Sequence, residues 1–166
     1  SKGADINMKG PDNKSPLIYA LSRQNYNIAW FFIKSGADLN AADNANKTPL
    51  MYAAENGTLE IVKHMVKNGC STNVQSTEEK TALGYAVDGR DKKIIEYLGK
   101  LSTRNDDFIA AVKEGDVYKA KKLLKDGVSV DSKDMEGKQA ILIAVEKRHK
   151  RMLKLLIETG ADINMQ

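Results

Sequence analysis

The sequence contains few of the residues that build disulfide scaffolds, aromatic pockets or membrane spans. Cysteine occurs once, at Cys70, so the 166-residue chain forms no internal disulfide, and this usage weakly favours the cytoplasm. Phe, Trp and Tyr make up 6% of the residues, which argues against a large ligand pocket lined by aromatic rings. The longest apolar run covers 28–33, whereas a membrane span needs roughly 18 apolar residues. No signal peptide is visible.

The charge balance and the motifs give no indication of catalysis. The net charge of +4 is mild compared with that of a dedicated nucleic-acid binder, and nucleic acid is a disfavoured partner. No phosphate loop, zinc-protease motif or nucleophile elbow is present. His64 and His149 lack metal-ligand spacing, and Cys70 follows Gly69 without a recognisable basic partner. The sequence therefore predicts no catalytic, cofactor-binding or metal-binding residues.

The chain repeats two motifs at a fixed distance. Gly-Ala-Asp-Ile-Asn at 3–7 recurs, exactly or approximately, at 36–40, 69–73, 127–131 and 160–164. Ser-Pro-Leu-Ile-Tyr-Ala at 15–20 recurs, with substitutions, at 48–53, 81–86 and 139–144. Most successive copies lie 33 residues apart. A period of this length is the signature of a stacked repeat protein.

One repeat can be derived from local physical chemistry. Thr48 can cap a helix, and Pro49 suits the first helical turn. Gly57 ends this short helix, and Gly69 fits the left-handed residue that ends the next one. Apolar side chains follow helical spacing at Leu50, Ala53, Ala54, Ile61, Val62, Met65 and Val66. Neither helix is long enough to be stable alone, so neighbouring repeats must cover these stripes.

This pattern resembles the ankyrin repeat through Thr48-Pro49-Leu50, the Gly-Ala-Asp closing motifs and the 33-residue period. The resemblance implies an all-α solenoid of about five helix-turn-helix repeats joined by β-hairpins or loops. It also implies a protein-binding concave surface and no catalytic activity. A single domain covering 1–166 would divide into a partial closing segment and five repeats, at 1–7, 8–40, 41–73, 74–105, 106–131 and 132–164. The family usually places His after Thr-Pro-Leu, and here that position is apolar or glycine.

The fourth repeat departs from this period because eight residues are missing where its hairpin should lie. From Ser102 to Gly127 is only 25 positions, and a helix is predicted to start almost at once at Asp106. Two interpretations follow: one continuous stack with a notch in its row of hairpins, or two sub-arrays that meet at 101–106. We favour the continuous stack because Phe108, Leu123 and Leu124 need a neighbour to cover them.

The two ends of the sequence indicate a segment of a longer array. The chain opens with a closing motif, and the last repeat carries Met152, Leu153, Leu155, Leu156 and Ile157, where a capping repeat should be polar. We expect a monomer, with end-to-end self-association as the alternative if flanking repeats are missing.

Candidate partner-binding residues follow from the geometry that the resemblance implies. The hairpin tips and the first-helix edges should be exposed, and so should a column of lysines that precedes each first helix. Trp30, next to Phe31, should face solvent and contact a partner, or else pack on a preceding repeat. These candidates are Asp12, Asn13, Lys14, Arg23, Asp43, Asn44, Asn46, Lys47, Glu55, Asn56, Glu78, Glu79, Lys80, Asp88, Lys113, Glu114, Met135, Glu136, Lys138 and Trp30.

Several features keep two interpretations. The lysine column could attract an acidic target, although such lysines are common in repeats without a special partner. Tyr19, Tyr52 and Tyr85 could form a binding strip, but packing between helices with the hydroxyls at an edge is favoured. The basic run at 147–151 is best interpreted as a solvated face.

The resulting functional hypotheses are three. A protein-binding scaffold comes first, followed by an accessory array of a larger enzyme and a binder of an acidic polymer or nucleic acid. The predicted core consists of Leu17, Ala20, Phe32, Leu50, Ala53, Ile61, Val62, Met65, Leu83, Ala86, Ile94, Ile95, Phe108, Ala111, Leu123, Leu124, Ile141, Ala144, Leu153 and Leu156.

Overall fold

The computed structural model describes residues 5–134 and 136–161, and the regular structure in these residues is helical. The elements are a 3-10 turn at Pro11–Asn13 and the helices α1 (Pro16–Ser22), α2 (Tyr26–Lys34), α3 (Pro49–Asn56), α4 (Leu59–Lys67), α5 (Ala82–Gly89), α6 (Lys92–Glu114), α7 (Val117–Lys125), α8 (Ala140–Glu146) and α9 (Lys150–Glu158). One isolated antiparallel bridge pairs Lys133 with Gln139. The all-α solenoid predicted from the repeats is confirmed, with its connections formed by turns and loops.

The first helix of a repeat starts where the sequence predicts. Oγ1 of Thr48 accepts a hydrogen bond from the backbone N–H of Met51 at 3.4 Å. The hydroxyl of Ser15 accepts one from Ile18 at 3.3 Å in the preceding repeat. Proline follows each cap at a position whose N–H has no partner within the helix. These contacts confirm the predicted caps.

Glycine ends the helices for two different reasons. Gly69 has φ of +88°, a left-handed conformation that few L-residues adopt. Gly57 lies so close to α3 that a Cβ atom there would be 2.3 Å from the carbonyl oxygen of Ala53. The predicted helix breaks are therefore confirmed, and any side chain at position 57 would force the backbone to move.

The chain forms two compact units, residues 1–99 and 100–166, which are described separately. In the N-terminal unit α1 packs on α2, α3 packs on α4, and α3 also contacts α1 and α5. Leu17, Leu50, Ile61 and Ile94 are fully buried there. Neighbouring helix pairs in this unit thus cover one another in chain order, as the short amphipathic helices require.

The closing motif of each repeat is tied to the next one by its asparagine. Oδ1 of Asn7 accepts from the backbone N–H of Asp38 at 2.8 Å, and Oδ1 of Asn40 accepts from Ser71 at 2.9 Å. The Asn40 amide also donates to the carbonyl of Gly69 at 3.3 Å. These bonds satisfy loop backbone groups and explain why asparagine recurs 33 residues apart.

The C-terminal unit has its own apolar core. Phe108 from α6, Ala120 from α7, Ala144 from α8, and Met152 and Leu156 from α9 are fully buried together. α9 packs against both α7 and α8. Helix pairing therefore continues in the last two repeats.

The prediction of a new helix at Asp106 is wrong, because α6 runs unbroken for 23 residues from Lys92 to Glu114. Ser102 replaces the glycine that would end the helix, and no residue of α6 has positive φ. One face of α6 is buried throughout, at Ile94, Leu98, Leu101, Asn105 and Phe108. The spacing of three and four residues along this face favours one continuous helix. The proposed sub-array junction at 101–106 thus lies inside a helix.

Most of the predicted core is buried, and its errors share a cause. Six members are only half-buried: Phe32, Leu83, Ile95, Leu123, Leu124 and Leu153. Conversely, Ile18, Leu21, Met51 and Met152 were not predicted and are fully or almost fully buried. A helix with neighbours on both sides buries more than one stripe, so single-stripe periodicity underestimates the core.

Candidate partner-binding surface

The turns that carry the predicted tip residues are built around an acidic side chain. Oδ1 of Asp43 accepts from the backbone N–H groups of Ala45 and Lys47, both at 2.9 Å. Oδ1 of Asp134 accepts in the same way from Glu136 and Lys138, both at 3.0 Å. The prediction that Asp43 is an exposed tip residue is wrong: only 7% of it is exposed, because its carboxylate forms the inside of the turn.

Successive turns are hydrogen-bonded to each other. The N–H of Asn44 donates to the carbonyl of Asp12 at 2.9 Å, and Thr77 donates to Ala45 at 2.9 Å. The Asn13 amide donates to Ala42 at 3.2 Å, and the Asn46 amide donates to Gln75 at 2.6 Å. The tips of the N-terminal unit are therefore held in register by both backbone and side-chain bonds.

The lysine column is already engaged by the protein's own side chains. Lys47 pairs with Glu55, Lys80 with Asp88 at 3.0 Å, and Lys138 with Glu146 at 3.1 Å, each pair eight residues apart. Only 13% of the Lys47 side chain is exposed. The predicted exposure of Lys47 is therefore wrong, and the column is not a row of free ammonium groups.

The tyrosine column packs around these lysines. Nζ of Lys47 lies 4.4 Å from the ring centroid of Tyr52 and 4.0 Å from that of Tyr85, within cation–π range. The Tyr52 hydroxyl donates to Oδ2 of Asp43 at 2.8 Å, and Tyr85 bonds Ser76 at 3.1 Å. Burial, and then the bond to Asp43, raise the pKa of Tyr52 far above its usual range. These contacts fit the favoured packing interpretation.

Lys14 differs from the other members of its column. Ser22 occupies the position that Glu55 and Asp88 occupy in the next repeats, so no carboxylate lies eight residues on. Lys14 lies 6.0 Å from the ring centroid of Tyr52. Arg23 is exposed nearby in sequence.

The remaining predicted residues divide by exposure. Exposed are Asp12, Asn13, Arg23, Asn44, Asn46, Glu78, Glu79, Asp88, Lys113, Glu114 and Glu136. Half-buried are Lys14, Lys47, Glu55, Asn56, Lys80, Lys138 and Trp30. Met135 lies outside the described residues. The exposed turn residues Asp12, Asn13, Asn44, Asn46, Glu78 and Glu79 are called the tip surface below.

The prediction that Trp30 faces solvent is wrong. Its ring is half-buried and meets the ring of His64 edge-on, with 4.9 Å between centroids. Nζ of Lys34 lies 5.6 Å from the Trp30 centroid. The position faces the second helix of the following repeat, which the periodicity of a single helix does not reveal. The exposed aromatic is Phe31, 65% accessible.

Cys70 and the histidines occupy structural positions. Cys70 is buried, its thiol contacts the carbonyl of Leu39 at 3.4 Å, and burial raises its pKa to about 12. Such a thiol is a poor nucleophile. His149 contacts the carbonyl of Lys113 at 3.2 Å. Across the described ranges, no cluster of three or more His, Cys, Asp or Glu could hold a metal ion.

Sequence reasoning missed a groove in the C-terminal unit, beside α6. The α6 groove has a volume of about 320 Å³ and is lined by Asp106, Ile109, Ala110, Lys113, Asp134 and Glu136. A second, more apolar groove of about 470 Å³ lies beside α1 and is lined in part by Met8, Lys14, Tyr19, Arg23 and Ile28. The signal for the α6 groove was the missing hairpin. None of the helices in 5–134 and 136–161 is both long and apolar enough to cross a membrane.

Comparisons with known proteins agree with the repeat architecture. A model of three ankyrin repeats matches residues 1–76 and 36–108, and a model of a single ankyrin repeat matches 136–166. The unmatched segment, 109–135, includes most of the shortened repeat.

Two curated proteins match parts of the chain. An Escherichia coli K12 protein named as an ankyrin repeat protein, YahD, is 38% identical over 60 residues, which are 36% of this chain and 30% of YahD. The mouse inactive serine/threonine-protein kinase TEX14 is 35% identical over 69 residues, which are 39% of this chain and 5% of that kinase. The matches thus span less than a third of each relative. Because the family models cover most of its length, and its helix pairs, turns and 33-residue period agree with them, the chain belongs to the ankyrin repeat family.

Proposed function

We propose that this chain is a protein-binding module that contacts its partner through the tip surface. Ankyrin repeats are generally protein-interaction modules, typically without enzymatic activity. The tip surface is exposed on consecutive turns of the N-terminal unit. A protein partner is therefore the first candidate for this surface.

The observation that supports the proposal is the hydrogen bonding between turns. Asn13 and Asn46 spend their amides on the following turn, and Asn44 and Thr77 add backbone bonds. Turns held in this way lose little conformational entropy on binding. Exposed side chains on pre-ordered loops are typical of recognition surfaces.

The charge of the tip surface indicates the kind of partner. Asp12, Glu78 and Glu79 are acidic, and the only basic side chain close to them in an ion pair is Lys80, which Glu78 shares with Asp88. The surface is thus locally acidic on a chain of net charge +4. A partner with basic or hydrogen-bonding groups fits it best.

The same geometry disfavours an acidic polymer as the partner. Lys47, Lys80 and Lys138 are bound to carboxylates, so releasing them to bind phosphates would break three ion pairs. A binding curve against single-stranded DNA at increasing salt should show no high-affinity, salt-sensitive phase.

The test is a charge reversal on the tip surface. A partner is first isolated by affinity capture, and its affinity is then measured by calorimetry for the wild type and for the variant Asp12→Lys, Glu78→Lys, Glu79→Lys. We expect a loss of at least about tenfold, which corresponds to 1.4 kcal/mol. Glu158→Lys on α9 is the matched control and should bind like the wild type. An unchanged affinity in the triple variant, with a normal melting temperature, would refute the proposal.

A further inference from the structure

The α6 groove is the position where the fourth repeat lacks its hairpin. By the repeat period, Ala110 in α6 stands where Tyr52 and Tyr85 stand in the second and third repeats. The lysine that would precede this helix is among the missing residues. Neither the ring nor the ammonium group that fills this position in the N-terminal unit is supplied by the C-terminal unit.

The N-terminal unit shows which groups fit between consecutive turns. There, the Lys47 ammonium is enclosed by the rings of Tyr52 and Tyr85 and is bound by Glu55. Tyr52 also reaches the buried carboxylate of Asp43. A cation beside an aromatic ring is therefore the native filling of the equivalent space.

The lining of the α6 groove has the complementary chemistry. Asp106, Asp134 and Glu136 are acidic, and Lys113 is the single basic residue, paired with Asp134 at 3.3 Å. The carboxylates of Asp106 and Glu136 make no ion pair within the described residues. Ile109 and Ala110 provide an apolar floor. The groove thus combines an excess of negative charge with a surface on which a ring can lie.

We propose that the α6 groove docks a loop of a partner protein that presents Lys or Arg next to an aromatic side chain. The ring lies on Ile109 and Ala110, and the cation lies between Asp106 and Glu136. The occupant replaces from outside what the second and third repeats supply for themselves. This inference rests on the proposed function, because it assumes a protein partner, but it concerns a different surface.

The first experiment uses defined peptides and the whole chain labelled with ¹⁵N. Three disulfide-cyclised peptides share a Gly/Ser frame and carry Lys-Tyr, Glu-Tyr or Lys-Ala. In NMR titrations, Lys-Tyr should shift amide signals of 106–113 and 136–138, and it should bind at least about fivefold more tightly than the other two. Equal affinities, shifts confined to other parts of the chain, or no binding of Lys-Tyr at millimolar concentration would overturn the proposal.

Variants then test the lining. Ala110→Tyr restores the ring that other repeats have and should abolish binding by filling the groove. Asp106→Lys with Glu136→Lys should weaken binding at least tenfold without depending on packing, and Glu158→Lys should have no effect. Binding that survives both groove variants refutes the proposal, and so does self-association in sedimentation runs that Ala110→Tyr prevents, because a second copy would then be the occupant.

The same variants separate this inference from the proposed function. A partner whose affinity falls with the tip-surface variant but not with the groove variants disproves only the groove. A partner insensitive to both sets disproves both.

Discussion

Replacing Asn46 by alanine should lower the free energy of unfolding by about 2 kcal/mol. The Asn46 amide donates to the carbonyl of Gln75 at 2.6 Å, and the residue has φ of +54°. Losing one partly exposed hydrogen bond costs about 0.5–1 kcal/mol. Holding alanine in the left-handed region adds about 1 kcal/mol, because alanine lacks the local hydrogen bonding that lets asparagine adopt it.

Two further variants separate these contributions. Asn46→Gly loses the hydrogen bond but not the conformation, so it should destabilise by about 1 kcal/mol, less than alanine. Glu79 occupies the equivalent turn position in the next repeat, with φ of +59°. Glu79→Gly removes that strain and should leave stability unchanged or raise it by up to about 0.5 kcal/mol.

The assay is urea unfolding followed by circular dichroism, with the slope of the transition checked for constancy. The expected order of stability is Glu79→Gly, then the wild type, Asn46→Gly and Asn46→Ala. Should Asn46→Ala unfold at the wild-type midpoint, or should Asn46→Gly prove the weaker of the two, the turn-to-turn bond would not stabilise the tips as argued.

Three other substitutions probe separate features. Leu50→Ala should lower stability by about 2–5 kcal/mol in the same unfolding assay, because Leu50 is fully buried and a cavity remains; a loss below about 1 kcal/mol would contradict its role in the core. Gly57→Ala should cost more than about 2 kcal/mol in thermal melts, since its Cβ would collide with the carbonyl of Ala53, and a wild-type melting temperature would be inconsistent with that geometry. Cys70 has a pKa of about 12 in the folded protein against about 8.5 when unfolded, so its contribution is complete below pH 8.5 and declines as the pH rises towards 12. Cys70→Ala should reduce this alkaline loss in a pH series of unfolding curves, and parallel curves for the two proteins would count against the burial of the thiol.

The repeats, the caps and the helix ends could be predicted from sequence because each depends on a few adjacent residues. Thr48 and Pro49 start a helix by local hydrogen bonding and geometry, and Gly69 ends one by its positive φ. The 33-residue period then places equivalent residues side by side. Stacking follows from the short amphipathic helices that this period generates.

The errors concern residues whose environment comes from another repeat or from a turn. Trp30 meets His64 of the following repeat, a contact that a helical wheel of α2 cannot show. Asp43 is polar and lies in a turn, yet its carboxylate points inwards to bind two N–H groups. The tip surface and the α6 groove were reachable only in part, because the sequence shows which loop is missing but not what lines the gap.

The continuity of α6 could have been predicted from its own pattern. Leu98, Leu101, Asn105 and Phe108 keep a spacing of three and four residues across the expected break. The period of the closing motif was given more weight than this stripe. Where a repeat loses residues, local helical periodicity is the better guide to the helix boundaries.

The bonds made by Asn7 and Asn40 have a consequence for how such a chain can change in evolution. Each asparagine binds backbone groups of the repeat that follows, so every complete repeat presents the same acceptor on one side and the same donor on the other. A whole block of 33 residues can then be duplicated or removed, and the new neighbours meet with matching groups. Gains and losses in whole blocks are therefore tolerated by the hydrogen bonding of the loops, whereas a partial loss, such as the eight residues absent from the fourth repeat, changes the surface at that point.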